Sequence, residues 1–439
     1  MNMNNQNKPN IIWFMIDSMR NEFLNEFGSD NERTFLDELI AQGVSFTNCQ
    51  SMAPFTIVSM GAKLTGCYPA TTGLDGWLKK DPMKAIDQNC ITMIDILKYN
   101  GYYNCLYTDS PYGIYLPGDS FDVYHTQEGC KNFPIDSYIN HKGPKFAFVC
   151  FDVIHDSCCV NSDHFGSEDF KQNVVATARY VKEYYEKMKT GNDLILITSD
   201  HGMRCYDDFK GTKYAGENTT GRYLTEKTTH SSFNIVWKGN VEPQKINNLC
   251  RTVDIMPTLI NLLGFECPNT NGISLIPLMN GESVNEKYAF SMTGWSVTHP
   301  FTAGAWMAKD EQYKLVKYEV KKGFKKDYVY ELFDYINDKE EEHNLKDEMP
   351  QKFDELKKQM DLCFFTPKSI LELYAENSFD YQPILEYRNA HINKDVEAYV
   401  DGIIKNVWQK KTRKTFLLRY LKNEIRRIIK YYLMGKYNI

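Results

Sequence analysis

Asp200 and His201 stand side by side after the short apolar run Asp193-Leu-Ile-Leu-Ile-Thr198, with Gly202 following. A carboxylate and an imidazole in that position can both ligate a divalent cation. An imidazole among oxygen ligands favours Zn²⁺ or Mn²⁺ over Ca²⁺ or Mg²⁺. Asp17 closes another apolar run and can add a further oxygen ligand. A cation held there would polarise a phosphoryl or sulfuryl oxygen and lower the pKa of a coordinated hydroxyl. The hydroxyl that could be activated is Thr56, in Ala53-Pro54-Phe55-Thr56-Ile57-Val58-Ser59-Met60. Thr56 is expected to head a helix as its N-cap, where free backbone N–H groups and the helix dipole favour an anion. Ser59 is a second hydroxyl in the same stretch. Asp152 and His155, in an Asp-x-x-His spacing, and His230 could hold a second metal or touch the substrate; ordinary surface histidines are the plainer alternative. Asp-His-Gly can equally be a polar turn, and a capping threonine is common.

These residues need a scaffold, and the runs that precede them supply one. Segments 10–16, 146–151 and 193–198 are almost wholly apolar, as in strands buried on both faces. Each leads into a carboxylate: Asp17, Asp152 and Asp200. Helical patterns at 34–42, 91–98 and 172–189 lie between them and stop at Gly43, Asn100-Gly101 and Gly191-Asn192. The alternation predicts a doubly wound α/β domain with its site along one sheet edge. A strand at 233–238 and a helix around Pro257 follow. From about Tyr288 the pattern changes to short antiparallel strands (313–320, 328–333) and a charged helix (350–362). The expected organisation is a flexible N-terminus over 1–9, a catalytic α/β domain over 10–284, an α+β subdomain over 285–362 and a helical extension over 363–439.

Within that extension, residues 410–436 carry ten Lys or Arg and one acid, Glu424. Leu417, Leu418, Leu421, Ile425, Ile428, Ile429 and Leu433 recur there at helical spacing. Such a helix either lies in the plane of an anionic membrane surface or packs its apolar stripe on the body. Over the whole chain of 439 residues the formal net charge is −6, against a protein that coats nucleic acid. The chain lacks any run of 18 apolar residues, and its Asn-rich start lacks the apolar centre of a secretory signal. The expectation is a cytoplasmic protein, peripheral on the inner membrane face if the basic helix binds lipid. The twelve cysteines, without a C-x-x-C spacing, are then reduced thiols.

Taken in order, Asn10…Asp17, Ala-Pro-Phe-Thr56…Leu-Thr65-Gly66-Cys-Tyr-Pro69 and Thr198-Ser-Asp200-His201-Gly202 resemble the sulfatase branch of the alkaline phosphatase superfamily. Leu97-Lys-Tyr-Asn-Gly101-Tyr, Val253-Asp-Ile-Met-Pro257-Thr-Leu and Glu331-Leu-Phe-Asp334 through Asn344-Leu extend the resemblance over about residues 9 to 362. It implies an α/β sandwich with a large, mostly parallel central sheet and a small C-terminal antiparallel subdomain. It also implies a metal-held ester anion attacked in line by a side chain. By position, Asp17, Asp200 and His201 match metal ligands, and Thr56 matches the nucleophile, itself a ligand. Lys227, three residues before His230, matches a lysine that holds the anion.

Two departures from the family bear on chemistry. Sulfatases carry Cys or Ser inside C/S-x-P-x-R and oxidise it to formylglycine. This chain has Thr56-Ile57-Val58-Ser59-Met60, without the Pro and Arg, and oxidation of a threonine would give a ketone. No formylglycine is therefore expected. Ser18 stands where sulfatases have a second aspartate, and His201 adds an imidazole, which shifts the expected cation from Ca²⁺ toward Zn²⁺ or Mn²⁺. Threonine is the nucleophile in nucleotide pyrophosphatases and in phosphoethanolamine and phosphoglycerol transferases, which resemble this chain at that position. The resulting expectation is a metal-dependent hydrolase or phosphotransferase for an anionic ester, phosphate before sulfate, on a lipid or surface glycan. The alternatives are a sulfatase working without formylglycine and an inactive binding protein that keeps the fold.

Overall fold

Strand β1 (Asn10–Ile16) is apolar along its length and is buried from Ile11 onward because strands flank it on both sides and helices cover both faces. In the computed structural model, which describes residues 8–74, 86–109, 120–126, 132–160, 165–205, 208, 224–293, 304–322, 325–377, 379–399 and 402, it is the centre of the main sheet. The other strands are β2 (Val44–Gln50), β3 (Tyr103–Thr108), β4 (Val123–Thr126), β5 (Lys145–Phe151), β6 (Asp193–Thr198), β7 (His230–Val236), β8 (Gln244–Ile246) and β9 (Cys250–Arg251). Their order is β4-β3-β5-β1-β6-β7-β2-β8, with β9 also pairing to β2. Strands β4, β3, β5, β1 and β6 are mutually parallel, and β7 runs antiparallel between β6 and β2. A parallel return needs a long crossover, usually a helix. Between β6 and β7 the described residues offer only one helical turn, Glu226–Thr229.

Helices α1 (Phe35–Ile40), α5 (Asp136–Asn140), α6 (Val153–Val160) and α7 (Ser167–Met188) close one face of the sheet, around Phe14, Val149, Phe170, Val174 and Val181. Helices α2 (Thr56–Thr65), α4 (Met93–Tyr99), α9 (Ile255–Leu262) and α10 (Ile276–Met279) close the other, around Trp13, Phe148, Leu64, Leu97 and Leu259. Helix α3 (Pro69–Thr72) follows α2, and α8 is the Glu226–Thr229 turn. α7 begins five residues before the expected 172 because its first turn is polar: the Asp169 carboxylate accepts the Gly166 N–H at 2.9 Å. The caps of α1 and α4 follow the sequence more closely, with Thr34 and Thr92 each forming a capping box with an aspartate three residues on.

A second, wholly antiparallel sheet contains β10 (Ala289–Thr293), β11 (Ala305–Lys309), β12 (Tyr313–Lys322) and β13 (Lys325–Asp334). Helix α11 (Pro350–Phe364) packs Leu356, Met360 and Cys363 against its Leu315 and Leu332. The two sheets are hydrogen-bonded: Met292 N donates to Met52 O at 2.8 Å, and Gln50 Nε2 donates to Ser291 Oγ at 2.8 Å. Helices α12 (Ile370–Tyr374) and α13 (Gln382–Ala390) then return to the face that bears α4. There Tyr374 accepts the Ile91 N–H at 2.9 Å, and Arg388 donates to Cys90 O at 2.8 Å. The basic segment 410–436 lies outside the described residues, as do positions 1–7.

Candidate active site

Strand register brings the site together. Ile16 pairs with Phe151 and Met15 with Thr198, which sets Asp17 level with Asp152 on one side and Asp200 on the other. Asp17 N continues that ladder to Phe151 O at 2.9 Å. Strand β2 runs antiparallel to β7 and so parallel to β6, so its C-terminal end delivers residues 51–55 and α2 to the same edge. β7 begins there with His230. Ligands in open α/β sheets bind at this carboxyl-terminal edge.

At that edge the ligand atoms of Asp17, Asp200 and His201 lie within 4.8 Å of one another, and all three residues are buried. Ser18 holds the first carboxylate, its Oγ donating to Asp17 Oδ1 at 2.6 Å. Its backbone N–H donates to Asp200 Oδ1 at 2.9 Å, as does His201 N at 2.8 Å. Ser18 achieves both contacts with φ at 63°, a left-handed conformation that costs a non-glycine residue about 1 kcal/mol or more. Thr56 Oγ1 donates to Asp17 Oδ2 at 3.1 Å.

His201 Nδ1 lies 2.7 Å from Gly202 O. A carbonyl only accepts, so Nδ1 carries the proton and Nε2 keeps its lone pair. Nε2 is 3.2 Å from Asp200 Oδ2, an oxygen to which no described residue donates a hydrogen bond. With the ring neutral, Nε2 and that buried oxygen both present electron pairs, an arrangement that a cation between them would satisfy. The donor set of two carboxylates and an imidazole, with the Thr56 hydroxyl alongside, fits a divalent metal.

Charge around the cluster is balanced from below. Burial, followed by the neighbouring Asp200, raises the Asp17 carboxyl above its ordinary range against the pull of His155, His201 and Ser18. Burial also acts to raise Asp200, but His201, Lys63, the Ser18 N–H and the Thr56 hydroxyl together outweigh it and hold that group low. Lys63 is fully buried, and burial brings its ammonium down to about 8 although Asp200 and Asp17 oppose the shift.

The structure corrects the expected role of Thr56 in its helix. Phe55 is the N-cap of α2, no side chain caps the helix, and Thr56 is its first helical residue. The Thr56 hydroxyl is turned to the Asp17 carboxylate instead of to the backbone of its own helix. Asp152 and His155 form an ion pair at 3.3 Å through Oδ1 and Nδ1, beside Asp17. Asp152 N also donates to Asp109 Oδ2 at 2.9 Å, from the tip of β3. His230 is elsewhere along the edge: Nε2 donates to Thr47 O at 2.9 Å, and burial and Lys309 depress its pKa. It does not join Asp152 and His155. Lys227 Nζ is 3.4 Å from Asp208 Oδ1 and 3.6 Å from Glu340 Oε1. Asp208 also receives Arg20 Nη1 at 2.7 Å.

Ser51 and Lys63 were not singled out from sequence, and Ser59 stood there only as a second hydroxyl beside Thr56. Ser51 Oγ donates to Asp200 O at 2.7 Å, Ser59 Oγ bonds the same carbonyl, and Lys63 Nζ bonds Ser199 O. The usable signal was spacing: Thr56, Ser59 and Lys63 fall at i, i+3 and i+7, one face of a helix.

Two family models match the chain: "Sulfatase" over residues 9–148 and "N-sulphoglucosamine sulphohydrolase, C-terminal" over 219–364. The first takes in Asp17 and Thr56, the second Lys227 and His230; Asp200 and His201 fall between them. A delta 4,5-hexuronate-2-O-sulfatase of Bacteroides thetaiotaomicron is 20% identical over 425 residues, covering 77% of this chain and 85% of that protein. An N-acetylgalactosamine-6-O-sulfatase of the same organism is 35% identical over 102 residues, which is 23% of this chain and 20% of the relative's length. Among solved structures, a 2-O GAG sulfatase superposes with a TM-score of 0.66 at 17% identity, covering 87% of this chain and 96% of that one. That superposition establishes the α/β sandwich with its small antiparallel sheet. With both ends of the fold matched and one site assembled between them, the chain belongs to the sulfatase family of the alkaline phosphatase superfamily.

Proposed function

We propose that this protein is a metal-dependent hydrolase of a sulfate ester carried on a glycan, with the Thr56 hydroxyl as nucleophile. The observation that carries the reading is the freed Thr56 hydroxyl, 3.1 Å from Asp17 Oδ2 beside a cluster of cation-binding atoms. The relatives' names support sulfate on a glycan, the reverse of the order expected from threonine alone. A divalent cation bound by Asp17, Asp200 and His201, Zn²⁺ or Mn²⁺ on the imidazole argument, supplies Lewis-acid polarisation of the ester oxygens and acidifies the hydroxyl.

The chain's own groups do the positioning. Asp17 Oδ2 accepts the Thr56 proton as Oγ attacks sulfur, the bond from sulfur to the glycan oxygen breaks, and that oxygen leaves as the alcohol with a proton taken from water. The first amides of α2, without a side-chain cap, face the ester anion. Threonine offers a single hydroxyl, so the sulfuryl group leaves only through a second displacement by water, which restores Thr56 and releases sulfate. That requirement favours one other reading, a phosphate ester, because phosphorus accepts a second displacement and can pass its group to water or an alcohol. Neither route uses formylglycine.

The test is release of p-nitrophenol from its sulfate, phosphate and bis-phosphate esters, and of sulfate from sulfated oligosaccharides, with Zn²⁺ or Mn²⁺ supplied. Thr56→Ala is expected to lower turnover by a factor on the order of 10³ or more. Turnover that survives Thr56→Ala overturns the nucleophile. Activity on phosphate esters with none on sulfate selects the second reading, and no turnover of any ester in the metal-loaded protein favours the inactive binding protein.

A further inference from the structure

The site described above holds two buried carboxylates, and one helix, α2, reaches both strand tips that carry them. Thr56, Ser59 and Lys63 form a single stripe on α2. Thr56 reaches Asp17, Ser59 bonds Asp200 O, and Lys63 donates to Ser199 O, the carbonyl immediately before Asp200. Lys63 has no exposed surface, and the opposite charges that act on it include Asp200 and Asp17. A lysine is almost never fully buried without compensation. Here the compensation runs in both directions, because two carboxylates whose oxygens lie within 4.8 Å of each other repel unless cations are near.

We propose that Lys63 is the resident cation of this site, a positioning residue that offsets one of the two carboxylates and fastens the Thr56 face of α2 to the Ser199–Asp200 strand tip. The inference rests on the metal-site reading of Asp17, Asp200 and His201. Its consequence is that the metal-free protein can fold with the two carboxylates side by side. The cost is weaker cation binding than the ligands alone would give, since Lys63 competes for the same negative charge. A lysine with only a packing role predicts the opposite, because loosening the helix would spoil the ligand geometry.

Cation affinity therefore separates the two. Lys63→Gln keeps a donor for Ser199 O and removes the charge; Lys63→Arg keeps the charge. Zn²⁺ and Mn²⁺ titrations by calorimetry, with thermal denaturation of each metal-free and metal-loaded full chain, give the readouts. Lys63→Gln is expected to melt lower without metal, to bind the cation about tenfold or more tighter than wild type, and to recover most of its melting temperature on loading. Lys63→Arg is expected to match wild type in affinity. Weaker or unchanged cation binding in Lys63→Gln overturns the proposal while leaving the metal site standing. If Lys63→Gln does not fold, metal-free stability is read with Asp200→Asn added, and a double variant no less stable than Asp200→Asn alone supports the charge pairing. A double variant less stable than Asp200→Asn overturns it. Failure of the wild type to bind either cation, with no difference from Asp17→Asn, overturns the metal site itself.

Discussion

Gly202 follows the imidazole that completes the cluster, and it has no room for a side chain. A Cβ there would lie 2.2 Å from Lys227 O and 3.2 Å from His230 O, where ordinary contact begins near 3.4 Å. Both obstacles are backbone atoms, so a Gly202→Ala variant must separate the 201–203 turn from α8 by about an ångström, an overpacking cost of about 1–3 kcal/mol. The separation strains the Gly202 N–H bond to Thr228 O, 3.1 Å long. In a chain of this size that corresponds to a fall in melting temperature of about 1–3 °C. It also moves Gly202 O, which fixes the His201 ring at 2.7 Å. A displacement of that size at a reacting centre costs about 10² in kcat/KM, and cation affinity is expected to fall with it. Gly43→Ala is the matched control, because its Cβ would meet Ile235 O at 2.0 Å. Gly43 precedes β2 and Ile235 is near the end of β7, so this clash is at the sheet edge opposite the site. Calorimetric melting, cation titration and p-nitrophenyl sulfate turnover on both variants decide the matter. If Gly202→Ala loses stability as Gly43→Ala does but keeps wild-type affinity and turnover, the placement of His201 by Gly202 is refuted.

Glu226 gives a pH prediction. Burial acts to raise its carboxyl, but Lys309 at 2.7 Å and Lys314 at 3.4 Å prevail and hold it at about 2, against an ordinary 4.5. A depressed carboxyl contributes stability that is present above pH 4.5 and lost as pH falls toward 2. With the side chain 23% exposed, the loss is roughly 1–2 kcal/mol. Glu226→Gln is expected to be less stable at pH 7, where it strands the buried Lys309, and to lose less between pH 4.5 and 2. Glu341, which burial and Glu226 shift upward, shares Lys314 with Glu226, so wild type and variant are compared in a Glu341→Gln background; parallel stability curves would disprove the pairing. Membrane binding by segment 410–436 predicts that the intact chain floats with anionic liposomes and a truncation at Val407 does not, and equal flotation of the two ends that idea.

The parts of this molecule that were legible in its sequence are those written in apolar runs. β6 has the bounds its residues suggest, and β1 and β5 end at the expected carboxylates, because strands buried on both faces admit few polar residues. β2 and β3 escaped notice. Ser45, Thr47, Asn48 and Gln50 in β2, and Asn104 in β3, interrupt the pattern, yet most of them are satisfied by partners distant in sequence, such as Asn104 Nδ2 bonding Ile94 O and Ser120 O. The Thr56 hydroxyl was misread for the same reason. Local rules favour a cap, and the partner that wins, Asp17, lies 39 positions away. Lys63 looked like any helical lysine, since spacing shows which face a residue occupies but not what covers that face.

The hydrogen bond from Met292 to Met52 makes the edge strand of the small sheet a continuation of the segment that leads into α2. Gln50 and Ser51 are bonded to Ser291 in the same way. The C-terminal subdomain is thus a buttress of the segment that places Thr56 and not an appendage. A chain cut near residue 285 would leave residues 51–55 without their lateral support, and two separately produced fragments would have to reassociate before Thr56 regained its place. Length changes at the far end of the β12–β13 hairpin, which is not part of that bond pattern, should by contrast leave the site undisturbed.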